Sequence, residues 1–179
     1  MGINNRVGFT IVELLVVIVI IGVLASIVLV GYGGSQEQTY YNRAKTELTS
    51  MTNAIKLYSL KYNVYPPDVA RGLPSGIEEF TTKDPNVLWP LGPWPGSVYD
   101  YDNWNINGIT TVQISIRFCP QGAPDTSQCH FPREPWASGF GVDSAVYYCI
   151  TGSCRSHQSQ PVTYPGYCLN CPGNKPIGT

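Results

Sequence analysis

Between Ile11 and Val30 the chain is apolar at every position except Glu13, Gly22 and Ser26. As a helix rising about 1.5 Å per residue, this run spans roughly 30 Å, the thickness of a bilayer's hydrocarbon core. Such a surface has to be covered by lipid or by other helices. The carboxylate near its start is the exception. An acid at the centre of a membrane helix costs about 2.5–3.5 kcal/mol, and one near the end costs less because it can snorkel toward head groups.

The residues before the run give Glu13 a second reading. Met1 to Gly8 is a short polar leader with one charge, Arg6, and it ends in glycine. A secretory signal places its small-residue cleavage site after the apolar region. Here cleavage has to precede it.

Gly8, Phe9, Thr10 and Glu13, followed directly by the apolar run, resemble the type IV pilin and pseudopilin superfamily. The resemblance implies cleavage between Gly8 and Phe9 by a prepilin peptidase and N-methylation of Phe9. It also implies filament assembly through Phe9 and Glu13. A physical logic supports this assignment. Removing the leader creates an ammonium group on Phe9, and in a packed helical bundle the Glu13 carboxylate of a neighbouring chain can meet it. Their attraction grows as water is excluded, and an unpaired carboxylate there is penalised, so the pair also sets register.

Lys plus Arg number 11 and Asp plus Glu number 12. With no basic excess, nucleic acid remains a possible partner that nothing indicates. All six cysteines, Cys119, Cys129, Cys149, Cys154, Cys168 and Cys171, lie beyond the apolar segment. An even number on the exported side favours disulfides, whose pairing the sequence leaves open.

From Tyr41 onward, Ala44, Leu48, Met51, Ile55, Tyr58 and Tyr62 recur in steps of three and four. This is an amphipathic helix whose stripe faces a core, with Lys45, Thr49, Thr52, Lys56 and Ser59 opposite. Tyr65-Pro66-Pro67 stops it. Gly31 to Gly34 contains three glycines that weaken the helix by about 1 kcal/mol each, where related chains carry a proline. Ala44 to Leu48 and Tyr62 to Pro66 look like the spine of the G-type pseudopilins, and Pro93-Trp94-Pro95-Gly96 looks like their turn into a tyrosine strand.

The stretch from Pro66 to Pro95 reads as a proline-rich loop with one helical turn near Ile77 to Phe80. Thr111 to Phe118 alternates strictly, which places Val112, Ile114, Ile116 and Phe118 toward a core and the polar residues outward. Val98 to Tyr101 is its expected hairpin partner through Asn103 to Gly108, and Ala145 to Ile150 is a third strand. The expected fold class is α+β, a long N-terminal helix packed on a small antiparallel sheet with disulfide-tied C-terminal loops. Its parts are a leader (1–8), a hydrophobic transmembrane and filament-core helix (9–34) and a globular head (35–179). The head comprises a helix (35–62), a loop (63–97), and a sheet with cysteine-rich loops (98–179).

Other chemistry finds less support. Cys149-x4-Cys154 and Cys168-x2-Cys171, with His157 in reserve, have the outline of zinc ligands, but export favours oxidation. Asp100, Asp102, Asp125 and Asp143 do not form a clustered calcium loop. His130 and His157 lack a recognisable catalytic partner, so neither an enzyme nor a cofactor is expected. Trp89, Trp94, Trp104 and Trp136 would form a recognition surface only if exposed.

The expected function is a structural subunit of a type IV pilus-like filament. A type II secretion pseudopilin or minor pilin is the alternative, and an uncleaved membrane-anchored binding domain is the second. The expected partners are other copies of the chain in a helical homopolymer and the prepilin peptidase. The resemblance adds an inner-membrane assembly platform with its ATPase. The precursor is expected to reside in the inner membrane by a single pass and then to reach an extracellular filament.

Overall fold

The computed structural model describes residues 10–72, 74–81, 91–154, 166–171 and 176–177, with the side chains of 27–35, 106, 176 and 177 outside the description. Contacts divide the chain into two units, Met1–Gln38 and Thr39–Thr179. The helix α1 (Ile11–Tyr62) contributes to both, and its backbone remains helical through Gly31 to Gly34.

In the second unit, Ala44, Leu48, Met51 and Ile55 are fully buried, as the three-and-four spacing predicts. Two positions depart from that pattern. Thr52, expected on the polar face, is buried, and Tyr62, expected in the stripe, is 46% exposed. The stripe drifts because 3.6 residues per turn does not match a fixed step over several turns. Asn63, at φ 56°, takes the left-handed conformation that closes many helices, so α1 ends ahead of the prolines.

The sheet contains β1 (Val98–Ile106), β2 (Ile109–Arg117), β3 (Ala145–Thr151), β4 (Gly166–Cys168) and β5 (Pro176–Ile177), in spatial order 1-2-3-4-5. β1, β2 and β3 pair antiparallel as expected. The first strand runs past the expected end at Tyr101 and through most of the expected connection, because Ile106 pairs with Ile109 across the two residues Asn107 and Gly108. Both have positive φ, 53° and 81°, the tight hairpin turn that an Asn-Gly pair favours. Two short strands also escaped the sequence reading. β4 runs parallel to β3, so the sheet is mixed, and β5 pairs antiparallel with β4.

One face of this sheet, with Tyr99, Tyr101, Val112, Ile114, Ile116 and Val146, forms the main core with the stripe of α1. Trp94 is buried in it, edge-on to Phe118 at 5.6 Å. It is seated by the expected turn, in which Ser97 N–H donates to Trp94 O at 3.0 Å and Gly96 adopts φ 73°. The expected helical turn is a short 3-10 segment, Glu78–Phe80, preceded by the fully buried Ile77.

The opposite face corrects a prediction. Thr111, Gln113, Ser115 and Arg117 were expected outward, yet all are buried, together with Asp100 and Asp102. Alternation identifies which face is apolar. It leaves undetermined whether the polar face meets water or is covered and hydrogen-bonded.

Candidate functional site

The first unit presents the segment that the sequence singles out. Gly8 and Phe9 lie outside the described residues. Immediately after them, Thr10 and Glu13 close a reciprocal cap on α1. Thr10 donates to Glu13 Oε2 from its backbone N–H at 2.9 Å and from its hydroxyl at 2.8 Å. Glu13 N–H donates back to Thr10 Oγ1 at 3.3 Å. Thr-x-x-Glu is a capping box, and it satisfies donors that a helix start would leave without partners. The Thr10-x-x-Glu13 spacing is the signal of this cap in the sequence. Glu13 therefore has a structural role within its own chain before any contact with another.

From Ile11 to Leu24 every large apolar side chain is exposed, between 47% for Val17 and 79% for Ile11. Exposure is continuous around the helix rather than confined to a stripe. Covering such a surface requires lipid or helices on all sides. Among the described residues no helix is long and apolar enough to cross a membrane. The described side chains of the apolar run end at Ser26, whereas the run itself continues to Val30.

In the second unit, the buried polar face of the sheet centres on Arg117. Its Nε donates to Asp100 Oδ2 at 3.0 Å, its Nη1 donates to Asp143 O at 2.9 Å, and its Nη2 stands 3.9 Å from Asp102 Oδ2. Gln113 Nε2 donates to Asp102 Oδ2 at 2.7 Å. Arg71 N–H donates to Asp100 Oδ1 at 3.1 Å, while its Nη1 donates to Cys119 O at 2.6 Å. A cavity of about 290 Å³ opens among Asp68, Arg71, Asp100, Asp102, Trp104 and Arg117. Burial, followed by the neighbouring Asp100 carboxylate, pushes the Asp102 pKa up to about 7, against the opposing pull of Arg117 and Gln113.

In sequence Asp100, Asp102 and Asp143 form no clustered acidic loop. The sheet register brings Asp100 and Asp102 to Arg117 and Gln113, and Asp143 reaches Arg117 through its backbone carbonyl. Asp125 stands apart and caps a short 3-10 turn by accepting from Ser127 N–H at 2.8 Å. No alternation pattern announces such a cluster, since its members come from four separate segments.

All six cysteines are paired, as Cys119–Cys129, Cys149–Cys154 and Cys168–Cys171. Each bridge is local in sequence and stabilises one loop. Of the tryptophans, Trp94 and Trp104 are buried, and Trp136 is half-buried and stacked on Tyr167 at 4.4 Å. These three therefore do not form an exposed aromatic platform. Trp89 lies outside the described residues. His130 is exposed, with its backbone N–H donating to Phe118 O, and His157 lies outside the described residues.

Comparison with known proteins accords with this geometry. Residues 4–29 match the family described as the prokaryotic N-terminal methylation motif. The chain is 42% identical over 128 residues to type II secretion system core protein G of Pectobacterium carotovorum, covering 66% of this chain and 79% of that protein. It is 34% identical over 106 residues to the protein of the same name from Vibrio cholerae, covering 55% of this chain and 71% of the relative. The Escherichia coli protein of that name is 41% identical over 75 residues, covering 42% of this chain and 51% of its own length. No solved structure matches the chain at a significant level.

Proposed function

Because this chain belongs to the pilin and pseudopilin family, as a prepilin-like relative of type II secretion system core protein G, we propose that it is a filament subunit processed after Gly8 and methylated on Phe9. The family consists of structural, non-enzymatic proteins. In this reading α1 anchors the precursor in the inner membrane. During assembly its apolar surface passes from lipid to a bundle of like helices, so it stays away from water in both states.

The observation that carries the reading is the pairing of a capped helix start with an apolar surface exposed on every side. The cap fixes Thr10 and Glu13 as the first turn of α1, so an amine created on Phe9 would stand one residue from it. Glu13 is thereby held at the helix start, and in this reading its carboxylate also pairs with the Phe9 amine of a neighbour. Prepilin peptidase, an assembly platform with its ATPase and other copies of the chain are the partners of this reading.

Whether the filament serves secretion or stands on the cell surface is a finer question. The relatives' name favours secretion, and the type IV pilus-like subunit is the other reading. Intact-mass measurement of the protein from its native host tests the processing step. Loss of residues 1–8 with one methyl group on Phe9 is expected, and a retained leader refutes it. Glu13→Gln then separates the two roles of Glu13, since glutamine still serves a capping box but cannot pair with an ammonium group. The expected outcome is membrane insertion with failed assembly. Normal filaments from that variant refute the charge pairing.

A further inference from the structure

The buried polar face of the sheet continues into a point where four sulfurs converge. Cys149 lies on β3 and Cys168 closes β4, and the parallel pairing of Tyr147 with Cys168 sets the two strands side by side. Cys149 Sγ stands 3.7 Å from Cys168 Sγ and 3.7 Å from Cys171 Sγ. The sulfurs of Cys149, Cys154 and Cys168 all fall within 4.8 Å of one another. A cation held by four thiolates at about 2.3 Å places neighbouring sulfurs about 3.8 Å apart. Two of the spacings between the cysteine pairs, both from Cys149, are thus already those of a coordination tetrahedron's edges, and Cys154 joins Cys149 and Cys168 within 4.8 Å. Only the spacing within each pair is set by its covalent bond.

The surrounding backbone is suited to the same arrangement. Cys171 N–H donates to Cys168 Sγ at 3.0 Å, a contact that favours a thiolate over a thiol. Asn170 ties the second pair to β3, accepting from Cys149 N–H at 2.8 Å and donating to Cys149 O at 2.7 Å. These two Asn170 bonds do not use sulfur, so they hold Cys149 beside the Cys168–Cys171 turn whatever the redox state. The Cα atoms of each pair are 5.5 Å apart, which lets two sulfurs spread by side-chain rotation alone. Loop spacings of four and two residues lie within the range of cysteine ligand pairs.

We propose that Cys149, Cys154, Cys168 and Cys171, when reduced, form a tetrathiolate site for a thiophilic divalent cation of the zinc class. The cluster then has two states, two disulfides or one metal. Opening both disulfides takes four electrons and four protons from two equivalents of a dithiol, which leaves as its own disulfide. Cation binding releases the four thiol protons. Zinc suits the set because it accepts four sulfurs tetrahedrally and has no redox chemistry of its own. Cys119 and Cys129 take no part, and the site is independent of how the filament is assembled.

The test uses the full-length chain in detergent. A Cys119→Ser/Cys129→Ser version is reduced anaerobically, freed of reductant and titrated with cobalt(II). The expected result is one equivalent of cobalt showing sulfur-to-metal charge transfer and the intense visible bands of a tetrahedral site, displaced stoichiometrically by zinc. Adding Cys149→Ser or Cys168→Ser is expected to abolish that spectrum. As a check that needs no cysteine variant in the cluster, X-ray absorption of the zinc-loaded reduced chain should show four sulfur neighbours at about 2.3 Å. A reduced chain that gives no tetrahedral cobalt spectrum overturns the proposal. So does a spectrum that survives Cys149→Ser, or a zinc shell with nitrogen and oxygen in place of sulfur.

Discussion

Asp102→Asn should remove a pH dependence of stability that the wild-type chain carries. The Asp102 pKa stands at about 7 in the folded protein, raised from an ordinary value of 3.8 by burial and by Asp100. The folded state therefore holds this proton more tightly than the unfolded chain does. Stability from this group is fully present below about pH 4, falls as pH rises toward 7 and levels off above it. About three pH units at 1.36 kcal/mol each set a ceiling of about 4 kcal/mol on the loss. Asparagine cannot ionise, yet its carbonyl can still accept from Gln113 Nε2, so packing is preserved. The other charged groups around the site, Asp68, Arg71, Asp100, Arg117 and Asp143, remain in both proteins. Glu79 and Asp125, whose carboxyls are held below their usual range by hydrogen bonds from Lys61 and Ser127, act with opposite sign and cancel in the comparison. Urea denaturation of the full-length chain in detergent, followed by tryptophan fluorescence at intervals from pH 4 to 8, measures the difference. Wild type should lose stability relative to Asp102→Asn across that window. Parallel profiles for the two proteins would refute the assignment of a buried, proton-holding carboxyl at Asp102.

Three further outcomes follow from the packing of the second unit. Arg117→Met leaves Asp100 and Asp102 buried without their cation and should cost about 3–5 kcal/mol at pH 8, less at pH 5 where Asp102 is protonated, as read by the same urea series. Leu48→Ala removes a fully buried side chain from the main core and should cost about 2–5 kcal/mol. Gly152→Ala places a Cβ 2.5 Å from Thr110 O at a position with φ 73°, so its urea midpoint should fall by more than that of Gly122→Ala, where φ is similarly positive at 75° but the space is open.

The two halves of the chain differ in how much their sequence reveals. The apolar run from Ile11 is unbroken and local, so no tertiary partner was needed to read it, and the stripe from Ala44 to Ile55 follows from helical period alone. The cap between Thr10 and Glu13 was equally local, resting on a three-residue spacing. In the sheet, β2 was legible from its alternation, and so was the turn at Trp94. The Asn107-Gly108 hairpin was encoded in two adjacent residues, though the strand around it, with Asp100, Asp102, Asn103 and Asn105, is too polar to resemble a conventional β-strand. β4 and β5 are three and two residues long, too short to show any period.

By itself the sequence determined that the apolar run from Ile11 is a helix needing cover on every side, and that a helix-on-sheet head follows it. These are local patterns, and helical period and apolar length do not depend on what lies elsewhere. Only the tertiary structure decided that the polar face of β2 is buried, that Asp100 and Asp102 share Arg117, and that Cys149 meets Cys168 and Cys171. Those contacts join segments as many as 22 residues apart in the chain, between Cys149 and Cys171. Strand register brings them together, and register is a property of the assembled sheet.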